Sequence, residues 1–144
     1  MTALEILMKL IRDSEGCSLK AYRCPANVIT IGWGYTGKEI TDNTVWTQEK
    51  ADECLLMVAV KVINQALITS PVLKTATSQR QAAIADFIYN LGIGNYNSST
   101  LKKYVDKENW ASAYTEIKKW NKAGGKVLKG LTIRREKEAS LLLA

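Results

Sequence analysis

No histidine occurs anywhere in the 144 residues of this chain. Its absence excludes Ser-His and Cys-His nucleophile pairs and every metal centre built on imidazole. Chemistry must then run on carboxylates, thiols, hydroxyls, Tyr, Lys or backbone groups. Cysteine is scarce and odd in number, with Cys17, Cys24 and Cys54 only. An odd count argues against a disulfide framework, so free thiols in a reducing compartment are expected. No cluster of metal ligands is visible, and no metal is expected. No segment reaches the ~18 apolar residues of a membrane span. The first twelve residues carry Glu5 and Lys9 in an amphipathic pattern and lack a basic start and a small-residue cleavage site. They do not read as a secretory signal, so synthesis in the cytoplasm without stable membrane insertion is expected. Repeats, low-complexity tracts and long linkers are missing too.

What is present starts with a surplus of positive charge, 20 Lys and Arg against 14 Asp and Glu. A net +6 suits an anionic partner such as cell wall, lipopolysaccharide or nucleic acid, and it also fits lysines that only keep the chain soluble. Thr2 with Glu5 forms a capping box, and Leu4, Leu7, Met8 and Ile11 follow on one helical face. Gly16 supplies a stop in the left-handed region. The helix predicted over 2–14 leaves Glu15 at its end, where the dipole disfavours another negative charge. From Leu19 to Ile31 the pattern is extended. Pro25-Ala26-Asn27 is turn chemistry, and Val28-Ile29-Thr30-Ile31 is a β-branched return strand. Gly32 and Gly34 bracket Trp33 and let the backbone bend or approach a ligand. Gly37 to Thr44 reads as a polar loop with room for a third short strand.

Thr47 caps a long helix running to about Thr69, with Ala51, Leu55, Val58, Ala59, Val62, Ile63 and Ala66 at helical spacing. Ser70-Pro71 ends it. Beyond it the pattern is helical throughout. A second capping box is read at Ser78 and Gln81, before a buried-looking run Ala82–Leu91 closed by Gly92 and Gly94. Ser98-Ser99-Thr100 caps a short helix. Asn109 caps the next, expected to carry Trp110, Tyr114, Ile117 and Trp120. Ala123-Gly124-Gly125 is a turn, and a last amphipathic helix is predicted from about Thr132. The fold class is α+β, mostly helical.

Three residues stand at fixed intervals in the stretch Glu15–Thr36: Glu15, Cys24 and Thr30. Gly16 follows the acid, and Thr30-Ile31-Gly32-Trp33-Gly34 closes the stretch. This pattern resembles the phage-type lysozymes, a glycoside hydrolase family of endolysin muramidases. Their motif is Glu, eight residues, Asp or Cys, five residues, Thr. Ala82 through Gly92 is similar to that family's buried helix, and Lys118-Lys119-Trp120, Gly124-Gly125, Gly130-Leu131 and Arg134-Arg135-x-x-Glu138 to its C-terminal signature. The resemblance implies one lysozyme-like catalytic domain over 1–144. It would have a small N-terminal hairpin lobe (about 12–46), a connecting helix (about 47–69) and a helical C-terminal lobe (about 70–144, joined by helix 2–14), with a cleft between the lobes.

It also implies site roles. Glu15 becomes the proton donor rather than an ordinary exposed Glu at a helix end, and Thr30 the holder of the attacking water rather than merely a strand former. Cys24 stands where Asp is the better-known choice. A free thiol with a pKa of ~8.5 is mostly neutral at pH 7. Either Arg23 or another cation lowers it, or Thr30 and the backbone position water without it. Attack through sulfur ranks last. Cys17 and Cys54 read as small buried hydrophobes. Gly32 is assigned to close approach of the glycan, Asn90 to substrate contact, and Trp120 either to sugar contact or to packing beneath the cleft. One of Arg134 and Arg135 is expected to pair with Glu15. The implied activity is cofactor-free N-acetylmuramidase action on peptidoglycan glycan strands by a monomer that binds no nucleic acid. The protein would be made in the host cytoplasm and reach periplasmic peptidoglycan through holin-type release. Alternatives are a lytic transglycosylase, against which Thr30 argues, and an inactive cell-wall-binding module.

Overall fold

A computed structural model describes residues 1–144. Helix α1 spans Ala3–Glu15, and its capping box is formed as the sequence predicts: the Thr2 hydroxyl accepts from the Glu5 N–H while the Glu5 carboxylate accepts from Thr2. Gly16 ends α1 at φ 66° and ψ 170°, a positive φ but not the left-handed helical cap expected. Strands β1 (Ser18–Arg23) and β2 (Ile29–Gly32) pair antiparallel, with Tyr22 opposite Thr30 and Arg23 opposite Ile29. Asn27, at φ 62°, takes the left-handed position that turns the hairpin. No third strand forms. A single bridge, Lys20 to Val45, lays the polar loop along β1.

Helix α2 (Gln48–Thr69) starts at Thr47, whose hydroxyl accepts from the Lys50 N–H, and a 3-10 turn over Pro71–Thr75 follows it. Helix α3 (Ser78–Leu91) is the hub. Every residue from Ala82 to Ile88 is buried, and it packs against α1, α2 and α7 (Lys129–Leu142). A helix apolar on nearly all sides belongs at the centre of a core, and Ala82, Ala83 and Ala85 let its neighbours approach closely. Its cap lies one residue before the expected box: Thr77, not Ser78, accepts from the Arg80 N–H. Gly92 ends α3, whereas Gly94 lies inside a short unexpected helix, α4 (Ile93–Asn97). Helix α5 (Thr100–Asp106) is capped by Ser99 and α6 (Trp110–Ile117) by Asn109.

Trp120 falls beyond α6 instead of on it. A small exposed hairpin then forms from β3 (Lys122–Ala123) and β4 (Lys126–Val127) around the two glycines. The last helix begins at Lys129, not near Thr132. The Thr132 hydroxyl, which looks like a cap in sequence, instead accepts from the Asn121 amide at 3.2 Å. The expected amphipathic face of α7 is also different in kind. Its buried residues are Arg134, Arg135 and Glu138 together with Ala139 and Leu142. The protein is thus mostly helical α+β with an N-terminal hairpin. No helix is long and apolar enough to cross a membrane.

Candidate active site

Glu15 is the last residue of α1, and Gly16 turns the chain away immediately after it. Its side chain is 24% exposed to solvent. Two features fix it there. Arg134 on α7 donates from Nη1 to Glu15 Oε2 at 3.0 Å. On another side lies Gly34, at φ 85°, where an added Cβ would stand 2.8 Å from Glu15 Cδ. Only glycine fits both that backbone and that approach. The segment carrying Gly34 is itself tied down: Ile31 and Tyr35 exchange backbone hydrogen bonds at 2.9 and 2.8 Å. Trp33 donates to Asp52 on α2 at 2.9 Å, and its carbonyl accepts from the Tyr89 hydroxyl at 2.6 Å.

Behind Glu15 lies a buried charged cluster. Arg134 donates from Nε to Asp86 Oδ2 and from Nη2 to Asp86 Oδ1, both at 2.9 Å. Of the expected alternatives it is therefore Arg134 that meets the acid. Arg135 turns the other way and pairs with Glu138 at 2.7 Å, both side chains fully buried. Burial works to raise the Asp86 carboxyl, but hydrogen bonds from Glu138 and Arg134 and the charges of both arginines outweigh it and hold Asp86 below the usual carboxylate range. Glu138 goes the opposite way. Burial, followed by the hydrogen bond to Asp86 and the Asp86 charge, pushes it well above its ordinary value, against Arg135. The direction of this shift favours a protonated Glu138 that gives Asp86 a hydrogen bond. Two carboxyls this close do not both ionise in a dry site.

A cavity of about 420 Å³ opens on this face, lined among others by Glu15, Asn90, Leu128, Leu131, Arg134 and Lys137. Asn90 thus shares a cavity with the acid, and its buried Oδ1 has no hydrogen-bond partner.

Cys24 and Thr30 do not line that cavity. They lie together in the hairpin, where Thr30 is buried and donates from Oγ1 to the Val28 carbonyl at 3.0 Å. The Cys24 thiol is held below its ordinary value, chiefly by the Val28 backbone and then by the Ala26 backbone and the Thr30 hydroxyl. No cation does this. Arg23, the expected candidate, is engaged with Asp42 at 3.1 Å and with the Asn27 carbonyl at 3.2 Å. Tyr22 lies within electrostatic reach of both Glu15 and Cys24. Its phenol is pushed up by burial and then by the charges of both Glu15 and Cys24.

Other expectations change. The missing side chain of Gly32 faces the Trp46 ring, with a Cβ-to-ring distance of 3.0 Å, so Gly32 serves packing and Gly34 faces the acid. Trp120 packs edge-on against Phe87, with ring centroids 5.4 Å apart, and does not line the Glu15 cavity. Cys17 is exposed, not buried, and Cys54 is half-buried. Asp86 is the chief residue that sequence reasoning missed. One signal existed: it is the only charged side chain in the run Ala82–Leu91, and such a residue is almost never buried unless paired.

The family described as Phage lysozyme matches residues 12–138. An endolysin of Bacillus phage B103 is 37% identical over 139 residues, covering 94% of this chain and 52% of that protein. An endolysin of Acyrthosiphon pisum secondary endosymbiont phage 1 is 35% identical over 136 residues, covering 92% and 91%. The solved endolysin from Escherichia coli O157:H7 phage FAHEc1 superposes with a TM-score of 0.85 at 27% identity, over 99% of this chain and 94% of that one. The chain spans about half the length of the Bacillus phage endolysins it matches.

Proposed function

Because this chain belongs to the phage lysozyme family, we propose that it is an endolysin-type N-acetylmuramidase. It hydrolyses the β-1,4 bond between N-acetylmuramic acid and N-acetylglucosamine in bacterial peptidoglycan and so lyses the cell. The observation that carries this reading is the Glu15 carboxyl group, anchored by Arg134, walled by Gly34 and open to a cavity that it shares with Asn90. A glycosidase needs such an acid, positioned and partly withdrawn from water.

In the proposed step Glu15 gives its proton to the glycosidic oxygen, and the bond from that oxygen to the anomeric carbon breaks. Water adds to the carbon and releases its own proton. Thr30 and Cys24 serve the water side from the hairpin. The Cys24 thiol, held below its ordinary value, is more ready than a free thiol to take the water proton as a thiolate. Asn90 contacts the glycan through its amide. Residues 117–133 hold five lysines and no acid, and those on the exposed β3–β4 hairpin favour approach to an anionic wall. The protein acts without a cofactor, as a monomer.

Mass spectrometry of the soluble products from purified peptidoglycan tests the reading. Reducing-end N-acetylmuramic acid is expected. Anhydro ends would make the protein a lytic transglycosylase and strip Thr30 of its role. A folded protein that binds walls and releases nothing would be a binding module. For access to the wall we propose holin-type release from the host cytoplasm to the periplasm. Cells expressing the chain should lyse only when a holin is supplied, and lysis without one would overturn that route.

A further inference from the structure

We propose that Asp86 is a positioning residue for the acid: it aims Arg134 at Glu15 and offsets part of the arginine charge behind it. The inference rests on Glu15 as proton donor. The geometry is specific. A guanidinium presents five N–H donors in a rigid plane. Asp86 takes Nε–H and one Nη2–H of Arg134, both at 2.9 Å, which fixes the plane and leaves Nη1 alone to reach Glu15 at 3.0 Å. The Arg134 side chain is 5% exposed and that of Asp86 is 0% exposed, so no water replaces either contact.

The charges point the same way. Arg134, Arg135 and Glu138 come from α7, Asp86 and Tyr89 from α3, and Glu15 from α1, with Tyr22 of the hairpin near the acid. With Glu138 protonated, two guanidinium charges face one carboxylate. If both carboxyls were ionised, the cluster behind Glu15 would be neutral and would favour a Glu15 that clings to its proton. If Asp86 were neutral as well, two positive charges would strip that proton early. A general acid has to keep its proton through binding and give it up in the transition state. The Asp86–Glu138 pair sets this balance from a position that touches no substrate.

Asp86→Asn, Asp86→Glu and Glu138→Gln, each in the full chain, test the proposal by two readouts. One is the pH profile of peptidoglycan hydrolysis. The other is the ¹³C titration of the Glu15 carboxyl without substrate. Asp86→Asn should lower turnover roughly 10- to 100-fold. It should also move both the alkaline limb of the profile and the Glu15 titration to lower pH by about one pH unit. Asp86→Glu should bring the limb back while turnover stays below wild type. Glu138→Gln, which mimics the protonated form, should leave the limb in place. Equal loss at every pH, with the Glu15 titration unmoved in Asp86→Asn, would reduce Asp86 to a structural role and overturn the inference. A limb that moves in Glu138→Gln would overturn the protonated Glu138. Should Asp86→Asn fail to fold, the Asp86→Glu and Glu138→Gln profiles still decide. A Glu15 titration that responds in a protein hydrolysing no glycan would sustain the inference and sink the muramidase reading instead.

Discussion

The two sides of the proposed reaction are built from different material. The acid side is part of the core. Glu15 ends a helix packed on α3, its anchor Arg134 is 4% exposed, and Asp86, Arg135 and Glu138 behind it are fully buried. The water side is a surface hairpin. Cys24 is half-buried, the turn residues Pro25, Ala26 and Asn27 are exposed, and the thiol is lowered chiefly by the Val28 backbone. A group that must hold a proton against water gains from a dry, fixed environment, where each electrostatic contact is worth more. Thr30 is buried within that hairpin, but the turn beside it is open to water. The acid side should therefore be intolerant of substitution and the water side permissive.

The largest effect should come from the acid itself. Glu15→Gln keeps a hydrogen bond to Arg134 and removes the proton, so hydrolysis should fall by 10³-fold or more while the unfolding midpoint stays near wild type, the upper range for a single general acid. A folded mutant retaining a tenth of its activity would place the chemistry elsewhere. Next comes the glycine pair. Gly34→Ala puts a Cβ against the Glu15 carboxyl and strains a backbone at φ 85°, so activity should drop about 10- to 100-fold. Gly32→Ala meets the Trp46 ring at φ 64° and should cost about 1–3 kcal/mol of stability by denaturant unfolding, with activity per folded molecule kept. If the two exchanged roles, the assignment of Gly34 to the acid side would be wrong. Thr30→Val keeps shape and loses the hydroxyl. A loss smaller than that of Gly34→Ala is expected, visible as a change in kcat more than KM.

The same division explains what could be read in advance. The helix end at Glu15 and the hairpin that carries Cys24 and Thr30 were legible because each is set by local chemistry, a glycine stop and a turn around Asn27. The choice between Arg134 and Arg135 was not. Neighbours on a helix point about 100° apart, and which one faces the acid depends on how α7 rolls against α3. The wrong start of α7 has a similar origin: Thr132 has the chemistry of a cap, but Asn121, brought in by the β3–β4 hairpin, takes its hydroxyl. Gly32 and Gly34 are indistinguishable in sequence, and only the turn from Ile31 to Tyr35 decides which one faces Glu15.

Cys24→Asp is the smallest perturbation and sharpens the contrast most. The wild-type thiol already lies below its ordinary value, chiefly because the Val28 backbone and then the Ala26 backbone favour its charged form. An aspartate in the same place receives the same donors and ionises several pH units lower, near 3.9 against ~8.5 for the free groups. If position 24 works through its anionic form, activity rises as that group loses its proton. In Cys24→Asp this rise falls at lower pH than in the thiol protein. The variant should therefore keep wild-type activity within a few-fold, with its profile extended to lower pH. An identical profile in both proteins would mean that the hairpin positions water through Thr30 and the backbone alone. A folded Cys24→Asp protein without activity would mean that sulfur itself takes part, and the water side would then be as exacting as the acid side.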